Sequence, residues 1–152
     1  MNPLNISRGE TFTLTPDDWL FSRPKGKSQT ALIGLAIDQH VKGLAIEHGA
    51  EIPADRFAPY DFRLNGITHD IKSYAASSIS LSERELEFAE SLIANGKKVV
   101  YVLFEQLGTS ADSDFAFRGY IDLGSLIHDG KIRESQYSGY YFTLNVVSKY
   151  VF

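Results

Sequence analysis

Residues 60–73 read YDFRLNGITHDIKS, with Asn65-Gly66 at their centre. Asn-Gly is the dipeptide that best supports a two-residue hairpin turn, whose central positions both need positive φ. Turning the chain there sets Leu64 against Ile67, Phe62 against His69 and Asp61 against Asp70. Because strand side chains alternate, one face carries Tyr60, Phe62, Leu64, Ile67, His69 and Ile71 and belongs against a core. The other carries Asp61, Arg63, Thr68, Asp70 and Lys72. Like charges set opposite each other destabilise a sheet, so the two aspartates need a reason. A water-facing strand tolerates them at small cost. Alternatively, a divalent cation lies between them: magnesium takes oxygen ligands, commonly one or two carboxylates with water and substrate phosphate. Such an ion generates a nucleophile and neutralises charge at phosphorus. Lys72, on the same face as Asp70, is placed to orient an attacking water or to stabilise developing charge.

The flanking sequence frames this hairpin. Apolar residues at 32, 33, 35, 36, 37, 41, 44 and 45, with Gly49 beyond, predict a well-buried helix over about 28–48. The hairpin strands fall near 57–64 and 67–73. Ser82 with Glu85 forms a capping box, Leu81 and Leu86 a hydrophobic staple, and Gly96 a stop, which together predict a helix over 82–95. KKVVYVLFEQ (97–106) is a continuous apolar strand of the kind covered on both faces. Strands are also predicted at 115–123 and 140–147, with a short helix at 124–128, and DDWLF (17–21) suggests one helical turn. The order α-β-β-α-β-β-β describes an α/β fold, a mixed central sheet flanked by helices, in one domain over 1–152.

Asp61 in PYDFRLNG, followed on the next strand by Asp70 and Lys72 in HDIKS, resembles the PD-(D/E)XK nuclease superfamily. The resemblance covers about residues 30–105 and includes the α-β-β-α-β order. Pro59 stands two positions before Asp61 rather than immediately before it. The resemblance implies a restriction-endonuclease-like core in which Asp61 and Asp70 ligate Mg2+ (or Mn2+) and Lys72 assists the water. It also implies a helix acid in a Gly-x-x-x-Glu-like setting; GLAID (34–38) supplies Asp38, and Glu47 is the weaker alternative. The implied substrate is DNA, cut on both strands by a homodimer or higher homo-oligomer. Two other readings stand beside this one: the same fold without catalysis, binding nucleic acid or a protein, and an unrelated α/β protein with an ordinary polar hairpin.

Composition narrows the classes further. The 152 residues are 43% hydrophobic and 22% charged, as in a globular chain, and the net charge is −4, so DNA binding needs bound cations or a local basic patch. With no cysteine, disulfides, thiolate zinc sites and cysteine catalysis are excluded. No signal peptide and no apolar run of the roughly 20 residues needed for a membrane span is visible, so a cytoplasmic location is expected. PKGKS (24–28) ends like a P-loop, but Phe21 stands where its first glycine belongs. Arg23, Lys25 and Lys27 are instead candidate backbone-phosphate contacts before a helix start, or simply a solvated loop. Ser73 is a candidate phosphate contact or a strand-end cap. Of the four histidines, His40 and His48 make no zinc motif, and His69 is expected as a buried, hydrogen-bonded core residue. The aromatics of 137–152 read as sheet and core rather than as a base-stacking platform.

Overall fold

The computed structural model describes residues 2–14, 29–55, 57–108 and 114–152. In chain order its elements begin with β1 (Thr11–Thr13), α1 (Gln29–Glu47), β2 (Phe62–Leu64), β3 (Ile67–Tyr74), β4 (Ser78–Leu81) and α2 (Glu83–Ala94). There follow β5 (Val99–Gln106), β6 (Asp114–Asp122), α3 (Leu123–His128), β7 (Arg133–Glu134), β8 (Tyr140–Thr143) and α4 (Leu144–Val147), with a 3-10 turn at Ser148–Tyr150. The turn suggested at 17–21 and the basic residues Arg23, Lys25 and Lys27 lie outside the described residues.

The Asn65-Gly66 turn forms as its chemistry requires, with φ of 54° and 75°. It sets Leu64 opposite Ile67, Arg63 opposite Thr68 and Phe62 opposite His69. β3 then runs parallel to β5, which pairs antiparallel with β6, and β6 with β1. The result is a mixed five-stranded sheet in the order β1-β6-β5-β3-β2. β5 is central, and its alternation splits the core in two. Val100, Val102 and Phe104 face Ile33, Ala36, Ile37, Val41 and Ala45 of α1. Val99, Tyr101 and Leu103 face Leu86 and Ala89 of α2 and Leu123 and Leu126 of α3. Each fully buried aliphatic or aromatic side chain in these layers is worth about 1.5–3 kcal/mol, so the continuous apolar run of β5 does the most to fix the layering.

Both long helices end as their sequences direct. Ala50 and Gly49 donate back to Ala45 and Ile46, and Lys97 and Gly96 donate back to Leu92 and Ile93, closing Schellman-type ends. Ser82 caps α2 by accepting from the Glu85 amide at 3.1 Å, and Leu81 and Leu86 are buried in the same layer.

Several expectations are corrected. β2 begins at Phe62, so the strand expected from 57 is shorter. Pro59 lacks a ladder donor, and Tyr60, expected on the Phe62 face, stacks instead on Phe88 of α2 at 5.7 Å. Serine-rich SISL forms β4, which joins β8 and β7 in a second sheet over the α2 side. The strand expected over 140–147 stops at Thr143: Phe142 is buried, the Leu144 amide donates to the Ser77 carbonyl, and the chain turns into α4 with Val146 exposed. β1 is too short to carry a pattern and exists because the edge of β6 accepts it. Past a bulge at Leu103/Phe104, the same edge takes the C-terminus, where Tyr120 and Phe152 exchange both backbone bonds. Among the described residues no helix is long and apolar enough to cross a membrane.

Candidate active site

β3 continues to Tyr74, beyond the start of β2 at Phe62, so among the described residues the Ile71 amide has no strand partner on that side. Asp61 supplies one. Its own amide donates to the His69 carbonyl, and its Oδ2 accepts from the Ile71 amide at 2.7 Å. The ladder does not reach the Asp61–Asp70 pair, yet the two carboxyls still meet, side chain to side chain. Asp61 therefore sits at a sheet edge, where groups from both faces reach it.

From the α1 face come Asp38 and Lys42, one helical turn apart. The Lys42 ammonium lies 3.0 Å from Asp38 Oδ2 and 3.5 Å from Asp61 Oδ1. From the α2 face come Asp70 and Lys72 of β3 and Glu85 of α2. Lys72 Nζ lies 2.6 Å from Glu85 Oε2 and 3.6 Å from Asp70 Oδ2, so Glu85 is its principal partner. Its ammonium also stands 5.1 Å from the centre of the Tyr101 ring, the β5 neighbour of Asp70.

The electrostatics follow from crowding these groups out of water. Asp70 is driven well above the ordinary carboxyl range by burial and then by the hydrogen bond it donates to Asp61. Burial, with the Asp61 charge behind it, pushes Asp38 up to about 7. For Asp61, burial is outweighed by what it accepts from Asp70, from the Ile71 amide and from Lys42, so it stays ionised with a lowered pKa. Burial also works against the charge on both lysines, but their carboxylate neighbours raise them overall. At neutral pH the repulsion is thus relieved by two lysines and by protons held on Asp70 and, in part, on Asp38.

Among the described residues no three His, Asp or Glu side chains converge as a metal centre would require. The donor chemistry nevertheless fits a hard cation: the acids offer oxygen alone, and Asp38, Asp61 and Asp70 are linked by hydrogen bonds through Asp61. A cation would take the place of the protons and of an ammonium group.

The sequence-predicted residues are placed as follows. Asp38, Asp61, Asp70 and Lys72 join one network. Glu47 is exposed near the end of α1, and among the described residues Asp38 is the acid that α1 brings to Asp61. Ser73 lies on the opposite face of β3 from Lys72, and a Cβ on Gly34 would come within 3.9 Å of its hydroxyl. His69 is fully buried, stacked on Phe62 at 4.7 Å, with Nδ1 at 3.0 Å from the Ile67 carbonyl; burial lowers its pKa to about 4. Sequence reading did not single out Lys42, Glu85 or Tyr101 for this site. The Asp38/Lys42 i,i+4 spacing was a visible signal, whereas Glu85 carried a capping signature and turns its carboxylate to Lys72 instead of back to the cap. Tyr101 reads as core; its hydroxyl is buried and, among the described residues, has no hydrogen-bond partner, beside a cavity of about 10 Å3 that Asp70 and Glu85 also line. That is room for about one water.

No protein-family model matches the chain, and no similar protein was found among curated sequences or solved structures.

Proposed function

We propose that this chain is a metal-dependent endonuclease that hydrolyses DNA phosphodiester bonds, with a restriction-endonuclease-like core. One observation carries the reading: Asp38 of α1, Asp61 at the start of the hairpin, and Asp70 and Lys72 of β3 join one network at the sheet edge where β2 begins. Asp38, Asp61 and Asp70 would draw closer together to hold a magnesium or manganese ion, which would supply charge neutralisation at the phosphate and an acidified water. Asp61, fixed by the Ile71 amide, is the carboxylate already ionised and pre-oriented. Asp70 and Asp38 deliver their oxygens as they lose protons. Lys72, oriented by Glu85, holds a positive charge two residues beyond Asp70, where it steadies a nucleophilic water or the developing oxyanion. Arg23, Lys25, Lys27 and Ser73 are proposed contacts to the DNA backbone, and two subunits would cut the two strands.

The extensive internal neutralisation of the network favours a second reading, a nuclease-fold module without catalysis that binds nucleic acid or a protein. Incubating plasmid and branched DNA with the protein, with and without Mg2+, separates the two. The nuclease reading requires Mg2+-dependent cleavage that Lys72→Ala abolishes. Intact DNA under every metal condition, or cleavage equal in the variant, overturns it.

A further inference from the structure

A neighbour of the hairpin that its own motif does not contain is the Lys42 ammonium. It approaches Asp38 to 3.0 Å and Asp61 to 3.5 Å, bridging carboxylates of two different elements. Its side chain is only 18% exposed, so the ammonium is held among the acids and not in bulk water. Lys72 on the other side is held chiefly by Glu85 at 2.6 Å, and among the described residues Lys42 is the cation that bridges Asp38 and Asp61. A divalent ion shared by Asp38 and Asp61 needs the same oxygens and the same space.

We propose that Lys42 is the resident cation of the site, bound between Asp38 and Asp61 in the metal-free protein and displaced when a divalent ion enters. This rests on the nuclease reading above. Lys42 then acts as a positioning residue: it keeps the carboxylates oriented and close while no metal is present, and it sets the affinity for the ion by competing with it. Tethered to α1 one turn beyond Asp38, the displaced ammonium remains beside the metal as a second positive charge for an incoming phosphate.

Titration calorimetry with Mn2+ and no DNA, at pH 8, tests this on the full chain. Lys42→Met keeps the length of the stem and removes the charge, so it should bind Mn2+ at least about tenfold more tightly than the wild type, given the strength of close pairs in partly buried sites. Lys42→Gln, a polar substitution in case the methionine disturbs folding, should gain in the same direction. Lys42→Arg keeps the competing charge and should stay near the wild type. Unchanged or weaker binding by the Met and Gln variants, with wild-type binding that still depends on Asp61, overturns the inference and leaves the nuclease reading standing. An equal gain in the Arg variant also overturns it. Binding in none of the proteins overturns this inference and the nuclease reading together.

Discussion

Replacing Asp38 by asparagine should stabilise the protein while removing a site carboxylate, and the gain should depend on pH. In the fold, burial and then the Asp61 charge raise the Asp38 pKa from 3.8 to about 7. A carboxyl whose folded pKa is raised contributes fully below its unfolded value, and that contribution is lost as pH rises through the folded value. At about 1.36 kcal/mol per pH unit the whole shift corresponds to roughly 4 kcal/mol, of which roughly half to two thirds develops between pH 5 and pH 8. Asp61 shares part of the shift through its contact with Asp38, so the advantage of the variant should grow by about 2 kcal/mol over that range, or about 4–8 °C in Tm. Asparagine can still accept from Lys42 and donate to Asp61, so packing is kept. Denaturant unfolding of both proteins at pH 5, 6, 7 and 8 measures the difference. A variant less stable than the wild type at pH 8, or a difference that does not change with pH, would refute the argument that this carboxylate is held ionised at a cost to the fold.

Three other substitutions probe different parts of the account. Lys72→Met strands the Glu85 carboxylate that now sits 2.6 Å from Nζ; it should lower stability by about 2–3 kcal/mol, read by denaturant unfolding, and leave no Mg2+-dependent cleavage. His69→Phe should flatten the acid limb of the stability profile. With the folded pKa lowered to about 4 from 6.5, the wild type loses about 3 kcal/mol through this group as pH falls from 6.5 to 4, and phenylalanine cannot; parallel curves for the two proteins would contradict this. Gly119→Ala places a Cβ 2.7 Å from Val151 Cγ1 and 2.8 Å from the Phe152 carbonyl oxygen, at φ 116°. It should cost about 2–4 kcal/mol and loosen the C-terminal strand contact, measurable as faster amide exchange at Phe152.

The hairpin, both long helices and the central strand were legible because each has a local signature: the Asn-Gly turn, the Ser82 cap, and an apolar run too continuous for a one-sided sheet. The elements that escaped are those defined by partners. Thr11–Thr13 is a strand only because β6 offers an edge, and residues 144–147 leave the strand because β4 supplies β8 with only four partners. The site was legible to the same degree. Asp61, Asp70 and Lys72 follow from strand alternation, but the fraying of β2 at Phe62 turns Asp61 from a ladder partner of Asp70 into a cap for the Ile71 amide. That change lets Asp61 reach α1 and Lys42, a contact between residues 19 positions apart that no periodicity encodes. Glu85 was hidden by its capping signature, because the lysine that draws its carboxylate away from the cap lies 13 positions back on β3.

Mg2+ calorimetry in buffers of different ionisation heat tests most directly the proposal that the aspartates, now relieved by protons and lysines, form a cation site. Because Asp70 is held protonated and Asp38 has a pKa of about 7, ion binding at pH 7 should release protons, on the order of one per ion bound. Asp70→Asn should abolish both the binding and the proton release while the variant stays folded. Absence of Mg2+ binding by the wild type, or binding undiminished in Asp70→Asn, would contradict the account.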